Sequence, residues 1–388
     1  MKEDYLNQIH RCFRCGYCKF PSDFSDWNCP SYRRFRFDTY STGGRLWLIR
    51  AWLNNEISWT EHLAEILYAC PTCRNCVEQC PMGFSADITD WIVNARGEMV
   101  ERGLVLPAIR DFLDNVRKHG NPWGKARSKR GAWTENVGVN KYKPRDEYLF
   151  YVGCIASYDE RVQEAAKSFA RLLNDAGVKF GILGEEEECD GNEVYMLGEK
   201  GLFQMLAEKN IKKFKELNVE KVVTFSPHAF NIMKNEYPKL GGNFKVIHYT
   251  ELLLDLIQKG KIKLSEFKTK ITYHDPCFLG RYNKMYDVPR EILRSIPGVE
   301  LVEMSRNREN SFCCGGGSGN FCTDLLGGSE ESPNRVRVKE AYNTGAKILA
   351  VACPSCMTML EDGLKEEELE EKITVKDISE IVEASSKK

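Results

Sequence analysis

The chain has 388 residues, with 55 lysines and arginines against 56 aspartates and glutamates and a formal net charge of −1. Acidic and basic residues are interspersed, which argues against a nucleic-acid partner because nucleic-acid-binding proteins concentrate positive charge on one surface. No window reaches the roughly 18 consecutive apolar residues of a transmembrane helix, so we expect no direct membrane span. The length alone predicts about two to three domains.

Sixteen cysteines fall into three ordered groups along the chain. The first two groups each hold three cysteines at C-x-x-C spacing and a fourth that precedes a proline: Cys12, Cys15, Cys18 and Cys29, then Cys70, Cys73, Cys76 and Cys80. The second group has the run of bacterial ferredoxins that binds a cubane [4Fe–4S] cluster, in which the fourth cysteine serves the neighbouring cluster. Two such runs in tandem predict two cubane clusters.

If the fourth cysteine of each run binds the cluster held by the triplet of the other run, two ligand sets are expected. Cluster 1 takes Cys12, Cys15, Cys18 and Cys80, and cluster 2 takes Cys70, Cys73, Cys76 and Cys29. Disulfide bonds are disfavoured, because so long a chain does not need them and C-x-x-C spacing suits metals better. Zinc is the other alternative, but it is typical of isolated C-x-x-C pairs and not of the triple run. The start, Met-Lys-Glu-Asp, predicts no signal peptide, so we expect a cytoplasmic protein with reduced thiols.

Residues 1–114 are predicted to form a helical, ferredoxin-like domain, since their apolar residues recur at spacings of three and four. Residues 115–146 are basic and glycine-rich, which favours an exposed interdomain linker over a docking surface for an acidic partner. From residue 147 onward, short apolar strands such as 148–152 alternate with amphipathic helices such as 160–176. This alternation predicts a parallel sheet covered by helices.

The pattern of strands and helices occurs twice, which predicts an internal duplication with one copy over 147–262 and a second over 263–388. The third cysteine group follows the predicted strands of the second copy: Cys277, Cys313, Cys314, Cys353 and Cys356. Because the carboxyl ends of parallel strands meet at one edge of a sheet, we expect these five thiols to converge. A phosphate-binding loop at 315–319 is disfavoured, since two cysteines precede the glycines and no Lys-Ser or Lys-Thr follows them.

At this point the chain resembles a known family, on the motifs His274-Asp275-Pro276-Cys277, Cys313-Cys314-Gly315 and Cys353-Pro354-Ser355-Cys356 behind the two ferredoxin-type runs. The family contains the D-type subunits of heterodisulfide reductases and the C-type subunits of glycerol-3-phosphate dehydrogenases, and the resemblance covers almost the whole chain. It implies an α-helical ferredoxin domain followed by a duplicated α/β cysteine-rich (CCG) domain with parallel sheets. It also implies that the five cysteines hold a third [4Fe–4S] cluster, of a non-cubane type. In heterodisulfide reductases two such clusters face the disulfide substrate.

The first copy departs from that pattern, with other residues where three of the cysteines would stand: Glu188, Ser226 and Ala229. It keeps Cys154 and Cys189, which leaves two thiols where five are used. We therefore expect three clusters in total, and the case for disulfide cleavage between two clusters is weakened. The two thiols, with His228, either pack the end of the sheet or bind a different metal.

The resemblance implies an iron–sulfur electron-transfer subunit of a larger soluble, anaerobic oxidoreductase complex. The chain is similar to electron-input subunits of class II benzoyl-CoA reductase complexes. Expected partners are flavin-containing subunits of the heterodisulfide reductase A or electron-transferring flavoprotein type, with no flavin in this chain itself. The alternative is a catalytic subunit that reduces a disulfide directly at the third cluster. A structural, zinc-holding module is the remaining alternative, and a colourless anaerobic preparation would support it.

Overall fold

The computed structural model describes residues 7–386. The N-terminal part is helical, as predicted, with helices at Pro30–Phe35, Thr42–Leu53, Glu61–Tyr68, Asn75–Gln79, Ile88–Glu101 and Pro107–His119. The cysteines of the first two groups lie in loops and short helical turns between the longer helices. Among the described residues, no helix is both long enough and apolar enough to cross a membrane.

Local signals in the sequence set where these helices begin and end. The side-chain oxygens of Ser41 and Thr60 accept backbone N–H groups at 3.2 and 3.1 Å and so begin the helices Thr42–Leu53 and Glu61–Tyr68. The last helix of the domain ends at Gly120, whose φ of 72° lies in the left-handed region that favours glycine. Such caps satisfy backbone groups that have no partner inside the helix.

Two four-stranded sheets follow, and all of their strand pairs are parallel. The first sheet contains β1 (Tyr148–Tyr151), β2 (Phe180–Gly181), β3 (Lys221–Thr224) and β4 (Lys245–His248), in the order β2-β1-β3-β4. The second contains β5 (Thr269–Tyr273), β6 (Val299–Val302), β7 (Ile348–Val351) and β8 (Thr374–Asp377), in the order β6-β5-β7-β8. The shared strand order confirms the predicted duplication.

Helices connect and cover the strands of both copies, as the alternating pattern predicted. Those of the first copy are Cys154–Tyr158, Glu160–Asp175, Asn192–Met196, Lys200–Glu216, Pro227–Asn235 and Tyr249–Gln258. Those of the second copy are Asp287–Ser295, Asn320–Thr323, Pro333–Asn343, Pro354–Glu366 and Ile378–Ser385. In each copy the loops that carry cysteines leave the carboxyl ends of the strands.

The first sheet lies between the helical domain and the second copy. Successive side chains of a strand point to opposite faces, and β1 divides its residues in this way. Phe150 packs in a hydrophobic core that extends into the second copy, whereas Leu149 and Tyr151 pack in a core shared with the N-terminal helices. All three side chains are fully buried. The two cores thus fix the cysteine-bearing loops of the three regions relative to one another.

The segment 115–146 is only in part the exposed linker that its composition favoured, because some of its side chains are buried. Arg130 and Trp133 are only 2% and 3% exposed, and Trp133 belongs to a hydrophobic core. Arg130 is buried because Glu187, from the loop after β2, pairs with it at 2.8 Å. A basic composition predicted exposure because the sequence does not show which charges find a buried partner.

Candidate metal centres

Four cysteines surround a cavity of about 380 Å³ in the N-terminal domain: Cys12, Cys15, Cys18 and Cys80. Cys15 is exposed, and the other three are partly buried. Phe13 and Tyr17, which are 64% and 46% exposed, line the same cavity. We name these four cysteines the first site. It contains the thiols that the sequence assigned to cluster 1.

A second cavity, of about 330 Å³, adjoins the first. Its lining includes the four cysteines assigned to cluster 2, which we name the second site: Cys29, Cys70, Cys73 and Cys76. Cys18 of the first site also lines this cavity. Cys29 and Cys73 are buried. The fold therefore brings the fourth cysteine of each run to the triplet of the other run, and one cysteine touches both cavities.

Burial raises the pKa values of several thiols at both sites. It raises the pKa of Cys18 to about 12 and the pKa of Cys76 well above its ordinary value. A buried thiol stays neutral unless a positive charge lies beside it. A bound metal supplies that charge, because a coordinating thiol loses its proton to become a thiolate. Closely spaced buried thiols around a cavity therefore fit an iron–sulfur cluster.

The structure also brings together the five cysteines of the third group, which we name the third site. Cys277 follows β5, the Cys313–Cys314 pair follows β6, and Cys353 and Cys356 stand at the start of the helix after β7. The Sγ atoms of Cys314 and Cys356 are 3.4 Å apart. Cys313 shares hydrogen bonds with Cys277 and Cys314, and Cys356 shares one with Cys353. All five are buried.

Two thiols of the third site are poised to ionise. Hydrogen bonds from Cys313 and Cys356 lower the pKa of Cys314. Burial opposes ionisation of Cys353, but hydrogen bonds from Cys356 and His228 lower its pKa to about 6. Because the thiolate is the form that binds metal, this donor set fits an iron–sulfur cluster as well.

His274 is a member of this site that the sequence analysis quoted only as part of a motif. One of its ring nitrogens, Cys314 Sγ and Cys356 Sγ all lie within 4.8 Å of one another. The Arg337 guanidinium donates to His274 Nδ1 at 3.1 Å. Since a guanidinium only donates, Nδ1 accepts and a neutral ring carries its proton on Nε2. The side chain is thereby oriented to donate toward the Cys314 sulfur.

His228 also serves the third site, although it comes from the first copy. Its Nδ1 pairs with Glu193 at 2.5 Å, and its ring shares a hydrogen bond with Cys353. Glu193 in turn accepts from the backbone N–H of Gly319, in the glycine-rich loop of the second copy, at 2.6 Å. This histidine therefore links the two copies.

The second and third sites are in direct contact. The thiols of Cys73 and Cys313 share a hydrogen bond. Arg281 donates through Nε to the carbonyl oxygen of Cys73 at 2.6 Å. Gly317 makes the approach possible, because a Cβ there would lie 2.4 Å from the carbonyl oxygen of Pro71. The sequence carries no signal for this contact, because the loops are far apart along the chain.

Arg96 fixes the same junction from the N-terminal side. Its buried guanidinium donates to the carbonyl oxygens of Leu67 and Cys70 at 2.7 and 2.6 Å. It also donates to the carbonyl oxygen of Met196 at 2.7 Å and to the hydroxyl of Ser318 at 2.9 Å. One arginine thus joins the loop of the second site to both copies of the duplicated domain.

The first copy retains a smaller group of thiols at the equivalent strand ends. Cys154 and Cys189 share a hydrogen bond, and we name them the residual thiol pair. Glu188, which stands where Cys313 stands in the second copy, forms two hydrogen bonds with Arg127 at 2.9 and 2.7 Å. His228 forms hydrogen bonds with Glu193 and Cys353.

Comparisons with known proteins agree with this architecture. The 4Fe-4S dicluster domain family matches residues 8–84, and the cysteine-rich domain family matches twice, over 148–234 and 271–361. The chain is 32% identical to the D-type subunit of the dihydromethanophenazine:CoB–CoM heterodisulfide reductase of Methanosarcina barkeri, over 97% of this chain and 94% of that relative. The chain belongs to the family of D-type heterodisulfide reductase subunits. It is therefore an iron–sulfur oxidoreductase-type subunit, with an N-terminal dicluster domain and a duplicated cysteine-rich domain.

Other members of this wider group are longer. The chain is 42% identical to the probable iron-sulfur-binding oxidoreductase FadF of Bacillus subtilis, over 83% of this chain and 46% of that protein. It is 36% identical to the EtfAB:quinone oxidoreductase of Syntrophomonas wolfei, over 82% of this chain and 46% of that protein. The chain thus spans about half the length of these two relatives.

One solved structure resembles the whole chain. It is the crystal structure of a hypothetical protein from Helicobacter pylori, with a TM-score of 0.52 and 13% identity. The match covers 99% of this chain and 72% of that protein. At this identity the match shows a shared fold.

Proposed function

We propose that this chain is the electron-transfer subunit of a larger oxidoreductase complex. The observation that carries the proposal is that the three candidate metal sites are contiguous. Cys18 lines the cavities of the first and second sites, and Cys73 of the second site touches Cys313 of the third. The first and second sites would each hold a cubane [4Fe–4S] cluster, and the third would hold a further iron–sulfur cluster of the non-cubane type.

Such clusters, when bound, accept and release electrons at potentials set by charge, hydrogen bonds to sulfur and burial. The three sites differ in their exposure to solvent. The first site opens to the surface at Cys15, whereas Cys73 and all five cysteines of the third site are buried. This gradient of exposure supports exchange of electrons with a partner at the first site and shelter of the third site from solvent.

The surface around the first site supports a protein partner. Phe13 and Tyr17 line its cavity and are exposed, and Phe24 packs against Tyr17 at 5.3 Å while remaining 51% exposed. Arg11 and Arg14 are exposed beside them. Aromatic and arginine side chains are enriched in protein interfaces, and the arginines favour an acidic partner surface. The name of the Syntrophomonas relative supports an electron-transferring flavoprotein, or another flavin-bearing subunit, as that partner.

Anaerobic purification of the native assembly from its host tests this proposal. Every co-purifying subunit would be identified by peptide mass spectrometry. A flavin-bearing subunit in fixed stoichiometry is the expected result. Recovery of the chain with no redox partner would contradict the relay function.

Direct catalysis at the third site is the second candidate. It is favoured by a cavity of about 480 Å³ between the strand ends of the two copies, lined by His228, Pro354 and Ser355 among others. Addition of a small thiol to the oxidised protein would separate the two functions. A shift in the paramagnetic spectrum would support a substrate sulfur at the third site, and an unchanged spectrum would support the relay.

A further inference from the structure

The residual thiol pair is more than a remnant of a lost ligand set. Both thiols line the same cavity, and a hydrogen bond between them shifts the pKa of each. Cys154 is partly exposed, whereas Cys189 is 8% exposed. Cys154 is thus the more exposed residue of the pair, as expected of an attacking thiol, and Cys189 is the more buried one, as expected of a resolving thiol.

A fixed positive charge stands beside the Cys154 sulfur. Arg130 is 2% exposed, and its Nη2 lies 3.6 Å from Cys154 Sγ. Glu187 holds this guanidinium in place at 2.8 Å and also accepts the backbone N–H groups of Val152 and Gly153, each at 2.9 Å. The hydrogen bond from Cys189, followed by the charge of Arg130, lowers the pKa of Cys154. A thiol that merely packs the end of a sheet requires none of this.

The pair lines a cavity at the junction of the two copies. The cavity of about 480 Å³ lies between the strand ends of the two copies, and its lining includes Cys154, Cys189 and Asp190. The opposite wall comes from Pro354 and Ser355, beside the third site.

The remaining positions of the first copy do not complete a cluster. Arg127 donates hydrogen bonds to both oxygens of the Glu188 carboxylate. The Ser226 hydroxyl caps a helix by accepting the backbone N–H of His228 at 3.2 Å. Ala229 offers no donor atom. Two thiols without further ligands are too few for a cluster but are enough for a disulfide.

We propose that Cys154 and Cys189 form a reversible dithiol–disulfide redox site that reacts with a small disulfide entering this cavity. The Cys154 thiolate attacks one sulfur of that disulfide, forms a mixed disulfide and releases the first thiolate. The Cys189 thiol then loses its proton to solvent. The resulting thiolate attacks the Cys154 sulfur, closes the Cys154–Cys189 bond and releases the second thiolate. The protein pair loses two electrons and the small disulfide gains them, so the exchange balances without any metal.

The test uses the holoprotein, purified without oxygen and equilibrated in mixtures of reduced and oxidised dithiothreitol of increasing oxidising strength. Samples are quenched in acid with an alkylating agent, digested and analysed by mass spectrometry, with iron measured in parallel. The expected result is a linked Cys154–Cys189 peptide that rises to more than half of the chains in the most oxidising mixture. It should disappear on re-reduction, with the iron content unchanged throughout.

Matched variants test whether Cys154 and Cys189 are the two thiols of the redox site. Cys154→Ser and Cys189→Ser should each abolish the linked peptide while keeping the iron of the holoprotein, and Cys322→Ser, which changes an exposed cysteine outside the three sites, should leave it intact. Two results would overturn the proposal. One is that both thiols stay reduced in every mixture. The other is that Cys154→Ser and Cys189→Ser lose metal that Cys322→Ser retains, which would make the pair a metal site.

Discussion

Cys73 and Cys313, from opposite ends of the chain, share a hydrogen bond through their thiols. The contact joins a loop of the dicluster domain to the cysteine pair of the second cysteine-rich copy. Arg281 lies across the junction, donating to the carbonyl oxygens of Cys73 and Ser311 at 2.6 Å each. Its positive charge is therefore close to thiols of both sites.

Replacement of Arg281 should change the reduction potentials at this junction. Arg281 is 2% exposed and interacts electrostatically with Cys73, Cys277 and Cys313. One charge about 6 Å away at an effective dielectric constant of about 20 contributes about 3 kcal/mol, which corresponds to roughly 100 mV for one electron. We expect Arg281→Met to lower the potentials of the second and third sites by this order, measured by redox titration with paramagnetic resonance.

Arg281→Lys is the matched control, because it keeps the positive charge but replaces the planar guanidinium group with an ammonium group. Its potentials should stay close to those of the native protein. Both variants must first show the native iron content. Full iron with unchanged potentials in Arg281→Met would contradict the placement of a cluster on either side of this arginine.

Replacement of the fourth cysteine of each run should test the exchanged ligand sets. Cys80→Ala should remove the signal of the first site and Cys29→Ala that of the second, because the fold brings each cysteine to the triplet of the other run. Each variant should lose up to about four irons per chain. Iron analysis and paramagnetic resonance of anaerobic preparations would measure this, with Cys322→Ala as control. Loss of the opposite signal in each variant would refute the exchange.

The exposed aromatic residues beside the first site should contribute to partner binding. Phe13 is 64% exposed and lines the cavity of that site. We expect Phe13→Ala to weaken association with the co-purifying redox subunit by about tenfold, the effect of losing roughly 1.4 kcal/mol at an interface. Surface plasmon resonance with that subunit would measure the change. Tyr342→Ala, at a 41% exposed position on a helix of the second copy, is the control. Equal effects of the two variants would exclude this docking surface.

Asp377 should make stability depend on pH. Its carboxylate is 1% exposed, accepts the Tyr249 hydroxyl at 2.9 and 2.8 Å, and caps the helix Ile378–Ser385. Burial raises its pKa from 3.8 to about 7. The folded state therefore holds a proton that the unfolded chain releases. Its stabilising contribution is complete below pH about 4, declines as the pH rises and is lost above pH about 7.

Comparison with Asp377→Asn isolates this effect, because other titrating groups cancel in the difference. Between pH 5 and pH 7, the free energy of unfolding of the native protein relative to the variant should fall by about 1.4 kcal/mol per pH unit. The difference should become constant by about pH 8. Urea unfolding followed by circular dichroism would measure it, and a difference that does not change with pH would show that Asp377 is ionised throughout.

The sequence determined the local chemistry of this protein. The C-x-x-C runs with Cys-Pro endings identified eight cysteines of the dicluster domain, because a cluster requires thiols at short, fixed spacing. The strand order confirmed a duplication that was readable from the repeated alternation of strands and helices. Such features can be read from the sequence because they depend on residues that are near one another along the chain.

Tertiary structure alone decided how these parts meet. The contact of Cys73 with Cys313, the direction of His228 toward Glu193 and Cys353, and the burial of Arg130 each depend on loops from distant parts of the chain. Composition predicted an exposed basic segment where the fold buries an arginine against a glutamate. A buried charge or thiol acquires its function from the partner that folding brings to it, and that partner is not specified by its sequence neighbours.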